Sequence, residues 1–122
     1  MTTMTPFLMF EGRAEEALQR YLEVFPGSQV ERLDRTETGA VAHGEAVIAG
    51  QRLRFYDSPV GHAFTFTPAL SLFVTVDSAE ELDRIVEALA ADFLMPTGDY
   101  GFSQRFAWFN DVFGVSWQVN LA

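Results

Sequence analysis

The sequence predicts an α+β fold of two βαβββ modules that form a curved mixed sheet or open cup. One order of elements, a strand, a helix and then further strands, occurs twice along the 122 residues. Ala14-Glu15-Glu16 reappears 65 residues later as Ala79-Glu80-Glu81, and Gly50 lies 64 residues before Gly114. We therefore expect one domain over residues 1–122, with modules at about 5–58 and 69–122.

The first module begins with a short apolar run at residues 6–10, which predicts a strand. A helix follows because apolar side chains recur at helical spacing, at Ala14, Leu18, Leu22 and Phe25, before Pro26 and Gly27 end the pattern. Three antiparallel strands are expected after the helix. Ala49-Gly50 lies where a tight hairpin turn would reverse the chain, since Gly accepts a positive φ without steric cost.

The second module follows a linker at residues 58–68, which contains two Pro and a Gly. A strand is expected at 69–77 and a helix at 78–93, where Ser78 and Glu81 form a capping box. The buried stripe of this helix is Leu82, Ile85 and Leu89. A turn-rich loop around 95–101 then leads to strands at 103–110 and 116–121.

Composition narrows the class of protein. The net charge of -9 disfavours nucleic-acid and anionic-membrane partners, and solubility is the commoner reason for such an excess of acid. The absence of cysteine excludes disulfides, thiolate metal sites and a thiol nucleophile. No apolar segment approaches the roughly 18 residues that span a bilayer, and no signal peptide is evident, so a soluble cytoplasmic protein is expected.

The two predicted hairpins supply the candidate ligand-binding residues. A two-residue turn at Ala49-Gly50 places Glu45 opposite Arg54 and His43 opposite Tyr56, on the face that the apolar side chains do not use. The same construction around Phe113-Gly114 places Phe109 opposite Gln118 and Ala107 opposite Asn120, with Trp108, Trp117 and Val119 in the core. The expected binding set is His43, Glu45, Arg54, Tyr56, Tyr100, Phe102, Phe109, Gln118 and Asn120.

Each candidate also has a structural interpretation. Glu45 and Arg54 could form a cross-strand ion pair, and His43 with Glu45 could form part of a metal site. Tyr100 and Phe102 could close over a ligand or pack against a second subunit. Three further cup candidates could simply fill the cavity: Leu8, Phe10 and Phe73.

Three segments resemble the vicinal oxygen chelate superfamily, which includes the glyoxalases and bleomycin-resistance proteins: PFLMFEGRAEEALQRYLEVFPGS, AHGEAVIAG and GFSQRFAWFNDVFGVSWQVN. The last is similar to the PhnB-like, 3-demethylubiquinone-9 3-methyltransferase-like branch. The resemblance implies a homodimer. It also implies metal-ligand positions near Pro6, Arg54 or Tyr56, Ser71 and Gln118, of which only Gln118 could ligate, so neither a metal nor another cofactor is expected.

Three functions follow from the sequence. The preferred hypothesis is a small-molecule-binding protein whose cup holds an apolar or aromatic ligand oriented by Gln118, Asn120 and Arg54. The second is a lyase or isomerase assisted by a metal or by His43 or Glu45. The third is a dimerising interaction module with a filled cup. Methyl transfer is not expected, because no Gly-rich turn follows the first strand.

Overall fold

Each half of the chain forms one helix and one four-stranded sheet in a computed structural model that describes residues 1–122. The two compact units are Met1–Thr65 and Phe66–Ala122, called unit 1 and unit 2 below. Unit 1 contains β1 (Phe7–Phe10), α1 (Ala14–Val24), β2 (Gln29–Arg35), β3 (Val41–Ile48) and β4 (Gln51–Asp57). Unit 2 contains β5 (Leu72–Val76), α2 (Ala79–Leu89), β6 (Asp92–Gly98), β7 (Phe106–Asn110) and β8 (Ser116–Leu121).

The two sheets have the same topology, as the predicted duplication requires. The strand orders are β1-β4-β3-β2 and β5-β8-β7-β6. In each sheet the first strand pairs in parallel with the last, and the other neighbours are antiparallel. Two helices and two open, mixed four-stranded sheets therefore confirm the predicted α+β class with two βαβββ modules.

The core of unit 1 lies between α1 and one face of its sheet. Ala14, Ala17, Leu18 and Tyr21 are buried on the helix, and Ala46, Ile48, Leu53 and Phe55 are buried on β3 and β4. Alternation along both strands leaves the opposite face uncovered by the helix. We call this uncovered surface the open face of unit 1.

The start of α1 is stabilised by a distant carboxylate. Arg13 at the N-cap has no side-chain capping bond, and Asp57 at the end of β4 accepts from the amides of Gly12 at 2.8 Å and Ala14 at 3.0 Å. Its second oxygen accepts from the amide of Val41 at 2.9 Å. Asp57 thus joins the helix start to two strands of the sheet.

The β3–β4 hairpin has the predicted two-residue turn. Ile48 pairs with Gln51, and Ala49 and Gly50 between them have φ of 50° and 83°. Positive φ at both central residues is the type I′ geometry, whose twist matches that of the flanking strands. The turn fixes a register in which Glu45 lies opposite Arg54, as predicted.

The core of unit 2 lies between α2 and the face of its sheet that carries Phe109, Trp117 and Val119. Ser78 caps α2 by accepting from the amide of Glu81 at 3.2 Å, and Leu82, Ile85 and Leu89 are buried, as predicted. Both helices have 11 residues, and neither is long and apolar enough to span a membrane.

Two sequence expectations for unit 2 are wrong. α2 ends at Leu89 rather than near Phe93, and the next residues form β6, where a helix end and a loop were expected. Gly98 and Pro96 within this strand conceal it in the sequence, since both residues are depleted in strands. Irregular pairing with β7, with register shifts around Met95, accommodates these two residues.

Candidate functional site

The open face of unit 1 brings together the predicted residues of the first hairpin. Arg54 and Tyr56 lie two apart on β4, and Glu45 and His43 lie two apart on β3, so each pair points to the same side of the sheet. Strand β1 adds Phe7, which lies beside Arg54 in the parallel register. We call these five residues the Arg54 cluster.

The guanidinium of Arg54 is held by rings rather than by a carboxylate. Its central carbon lies 5.2 Å from the centroid of the Phe7 ring, within the range of a cation–π contact. One terminal nitrogen lies 3.4 Å from both nitrogens of the His43 ring. An atom equidistant from the two ring nitrogens lies along neither lone pair, so this contact is weak.

The cross-strand ion pair expected between Glu45 and Arg54 is absent, although the two residues are in register. The Glu45 carboxylate lies instead 3.8 Å from Nε2 of His43. It also contributes, after the larger effects of a Glu31 hydrogen bond and charge, to raising the pKa of Arg52. Arg54 therefore has no carboxylate within 4.0 Å, and its Nε is buried without a hydrogen-bond partner.

Phe7 and Tyr56 give the cluster an apolar side. Their ring centroids are 5.2 Å apart at an interplanar angle of 40°. Phe7 is 56% exposed, although it is a large hydrophobic residue in a sheet. A ligand that covered this ring would remove apolar surface from water.

The open face of unit 2 carries amides and aromatic rings. Gln118 lies opposite Trp108 and donates from Nε2 to Oγ of Ser71 at 2.9 Å, and Asn120 lies opposite Phe106. Gln118 and Asn120 therefore do share one face, as predicted. That this face and the Arg54 cluster line one cup stays a prediction.

Phe109 is on the wrong face for the predicted binding role. The loop between β7 and β8 spans Asp111–Val115 and is longer than the assumed turn, so Phe109 pairs with Trp117 rather than with Gln118. A shift of one residue moves every side chain of a strand to the other face. Phe109 is 0% exposed in the core under α2. Trp108, which was expected in the core, is instead half-buried and lies opposite Gln118, where Phe109 was expected.

Tyr100 and Phe102 belong to an aromatic cluster at one end of the unit 2 sheet. Their rings are stacked with centroids 6.1 Å apart, and both lie edge-on to Phe106, which in turn contacts Phe73 at 6.4 Å. The hydroxyl of Tyr100 donates to the carbonyl of Pro96 at 2.5 Å. These contacts fix the loop against its own sheet, and closure over a ligand stays a prediction.

Leu8 and Phe10 face the core, contrary to their expected place in the cup. Each is 6% exposed, and both line, together with residues of α1, a cavity of about 10 Å³ with apolar walls. That volume has room for about one water molecule, which would lack polar partners there. Phe7 and Met9, one residue away on each side of Leu8, take the open face.

The residues present do not fit the metal that the superfamily implies. No three His, Cys, Asp or Glu side chains of the chain lie together in an arrangement that could hold an ion. Of the expected positions, Pro6 and Arg54 offer no side-chain ligand, and Ser71 and Gln118 are hydrogen-bonded to each other. A catalytic metal usually has about three protein ligands.

The duplicated βαβββ units with open mixed sheets define the glyoxalase-like fold of the vicinal oxygen chelate superfamily. A glyoxylase/bleomycin resistance protein/dioxygenase domain from Frankia sp. has this fold, with 18% identity, 100% and 93% coverage of this chain and of that chain, and a TM-score of 0.70. The family model for 3-demethylubiquinone-9 3-methyltransferase matches residues 2–120. The chain belongs to this PhnB-like family.

Two solved structures are more similar in sequence. A PhnB protein from Bacillus cereus is 44% identical over 99% of this chain and 100% of that chain, with a TM-score of 0.95. A protein from Pseudomonas aeruginosa is 26% identical over 99% and 98%, with a TM-score of 0.84. A comparison with curated proteins found no match.

Proposed function

We propose that the protein binds a small molecule on the open face of unit 1 through the Arg54 cluster. The observation that supports this most directly is that a charged donor group without a carboxylate partner lies beside an aromatic ring that is mostly exposed to water. Arg54 lacks a carboxylate, and Phe7 is largely exposed beside it. A few polar groups beside apolar contact surface are the usual make-up of a small-molecule site.

The main alternative to ligand binding is that Arg54 only stabilises the sheet through a cross-strand ion pair, and the geometry does not favour this role. A structural arginine in a sheet normally places its guanidinium against a carboxylate, as Arg52 does with Glu31. Arg54 instead stacks on an exposed ring.

The proposal is tested by NMR on the full chain labelled with ¹⁵N. The panel comprises small aromatic and aliphatic compounds that are cationic, neutral and anionic. At least one class is expected to shift the amide signals of Phe7, His43, Arg54 and Tyr56 in a saturable manner. Saturable shifts confined to the aromatic cluster of unit 2, or no saturable shift with any class, would contradict binding at the Arg54 cluster.

Proton transfer by His43 is a second candidate function, because Glu45 lies 3.8 Å from the imidazole and could orient it. A bound compound with an acidic C–H group would then exchange that hydrogen for deuterium in D₂O. We expect His43→Gln to abolish exchange even at ligand concentrations that saturate the variant in the NMR titration. Exchange at an unchanged rate in this variant would remove His43 from the mechanism.

A homodimer stays a prediction from the family resemblance. Exposed aromatic side chains such as Phe102 and Phe73 are compatible with it, since aromatic residues are enriched at subunit interfaces. Sedimentation velocity of the purified chain measures the state directly. A single monomeric species across the micromolar range would contradict the prediction.

Methyl transfer from S-adenosylmethionine would require a cofactor site, and the residues between β1 and α1 do not fit a Rossmann-type one. The amides of Gly12 and Ala14 at the start of α1 are occupied by Asp57, and the turn after β1 contains one glycine, Gly12, before α1. A Rossmann turn uses several glycines there and leaves the helix start free for the ligand. An assay for methyl transfer from S-adenosylmethionine by the purified chain tests this prediction.

A further inference from the structure

We infer that the ligand of the Arg54 cluster is a small oxyanion joined to an apolar, preferably aromatic, body. The inference rests on the proposed function, because it names the chemical class bound at that same face. In this arrangement the oxyanion accepts from the guanidinium of Arg54, and the apolar body covers Phe7 and Tyr56.

The unmet hydrogen-bonding capacity of Arg54 is the first argument. A guanidinium is always charged in proteins and carries five N–H donors, but here its hydrogen bonds are limited to the two weak contacts at 3.4 Å with His43. Its buried Nε has no partner at all. A half-buried cation in this state is costly, and a bound anion would offset that cost.

Comparison with the other arginines shows that this state is particular to the site. In a chain with 17 acidic residues against 8 basic ones, carboxylate partners are abundant. Five arginines have one within 4.0 Å: Arg13, Arg32, Arg35, Arg52 and Arg105. Arg54 is next but one to Arg52 on the same strand and face, and it has none. The guanidinium of Arg54 thus has no carboxylate partner, although Glu45 lies opposite it in the sheet.

The two carboxylates in register with His43 and Arg54, those of Asp34 and Glu45, already have side-chain neighbours. Glu45 lies 3.8 Å from His43, and Asp34, in register with His43 on β2, accepts from Arg32 at 2.6 Å. Their presence favours an anion of low charge, since a dianion would be repelled more strongly than a monoanion. A carboxylate is the simplest group of this kind.

The rings beside Arg54 identify the second half of the ligand. Phe7 lies under the guanidinium at 5.2 Å and is itself exposed, and the ring of Tyr56, 5.2 Å from that of Phe7, extends the apolar surface. A planar oxyanion meets the arginine fork in two parallel hydrogen bonds, which places the attached carbon skeleton beside the same rings. Aromatic carboxylic acids combine both features.

Isothermal titration calorimetry of the full chain with a matched series tests this inference. The series is 3-phenylpropionate and phenylphosphonate as oxyanions, 3-phenylpropanol as the neutral form and 3-phenylpropylamine as the cation. The acid is expected to bind at least about tenfold more tightly than the alcohol, because a charge-assisted hydrogen bond is gained. The two oxyanions distinguish a carboxylate site from a phosphonate site.

Two arginine variants of the same strand make the comparison specific. Arg54→Gln is expected to weaken binding of the acid at least about tenfold, and Arg54→Lys to restore part of it, whereas Arg52→Gln removes the same charge nearby and changes affinity less than about twofold. Circular dichroism and urea unfolding show that each variant is folded. Equal loss in Arg54→Gln and Arg52→Gln would overturn the inference, because it would indicate general electrostatics.

The failure of the inference and the failure of the proposed function give different results. If the alcohol or the amine binds as tightly as the acid, and Arg54→Gln leaves the affinity unchanged, the inference that the ligand is an oxyanion is overturned. The proposal of small-molecule binding then stands. If every compound of the series and of the wider NMR panel fails to bind, both the inference and the proposed function are overturned. Preference for the acid that disappears in Arg54→Gln supports both.

Discussion

Units 1 and 2 have the same strand order and the same helix length, but their open faces differ in chemistry. The open face of unit 1 carries the charged Arg54 cluster, and that of unit 2 carries amides and a set of contacting aromatic rings. The faces under the helices are apolar in both units. The comparison indicates that the buried face maintains the fold, while the open face is free to differ in function.

The strongest test of this comparison uses two phenylalanines of unit 2. Phe109→Ala is expected to lower the free energy of unfolding by about 3–5 kcal/mol, because Phe109 is 0% exposed in the core. Phe102→Ala is expected to cost less than about 1 kcal/mol, because Phe102 is 68% exposed on the open side. Urea denaturation measures both. Similar costs would mean that the two faces of the sheet are not distinct.

The start of α1 is bonded by the distant Asp57, whereas the start of α2 is capped by the adjacent Ser78. Asp57→Asn tests the first of these arrangements. The amide side chain keeps one acceptor oxygen and turns a donor towards buried amides of Gly12, Ala14 or Val41. We expect a loss of about 2–3 kcal/mol in the free energy of unfolding, because hydrogen bonds to a charged acceptor are lost in a buried setting. A loss below about 1 kcal/mol would show that the α1 start does not depend on Asp57.

The corresponding change in unit 2 is Ser78→Ala, which removes the local cap of α2. The amide of Glu81 then loses the 3.2 Å hydrogen bond that it donates to Oγ of Ser78, and water takes the place of the hydroxyl. A cost of about 1 kcal/mol is expected, since this is a single neutral cap at a partly exposed helix end. Ser78→Asp, which preserves an acceptor, is the control and is expected to retain most of the stability. If Ser78→Ala lowered the free energy of unfolding as much as Asp57→Asn, the proposed difference between the two helix starts would be wrong.

The features that could be predicted from the sequence are those that depend on contacts between residues close together in the chain. The Ser78 cap and the Ala49-Gly50 turn depend on neighbouring residues, and both are confirmed. Asp57 acts on residues 16 to 45 positions away, so no local pattern indicates its role. The open face of β1 could not be assigned either, because its four apolar residues do not alternate with polar ones.

The positions of the candidate site residues were predicted correctly only where the length of the hairpin turn was predicted correctly. The two-residue turn of unit 1 placed Arg54 and Glu45 correctly. In unit 2 the longer loop is set by Asp111, which accepts from the amides of Phe113 at 2.9 Å and Val115 at 3.0 Å. Gly114 alone indicated a turn but not its length, and this error assigned Phe109 to the wrong face.

The smallest expected effects concern exposed ion pairs, in which the two units are alike. Each helix has a carboxylate bonded by an arginine from outside the helix: Glu15 by Arg35 at 2.6 Å, and Asp83 by Arg105 at 2.7 Å. Because both pairs are solvent-exposed, Arg35→Gln and Arg105→Gln are expected to change stability little. A large loss from one of them would show that the units differ here as well.

The titration of Glu15 is the sharper measurement for this pair. The hydrogen bond from Arg35 lowers the pKa of Glu15 below its usual 4.5, so its contribution to stability is present above that value and is lost as the pH falls through the lowered pKa. Arg35→Gln is expected to return the pKa of Glu15 towards 4.5 in an NMR titration of the side-chain carboxyl. Glu16, whose pKa is lowered by Arg13, is the internal control and should not move. Movement of both carboxyls together would indicate a general change in the helix rather than loss of one bond.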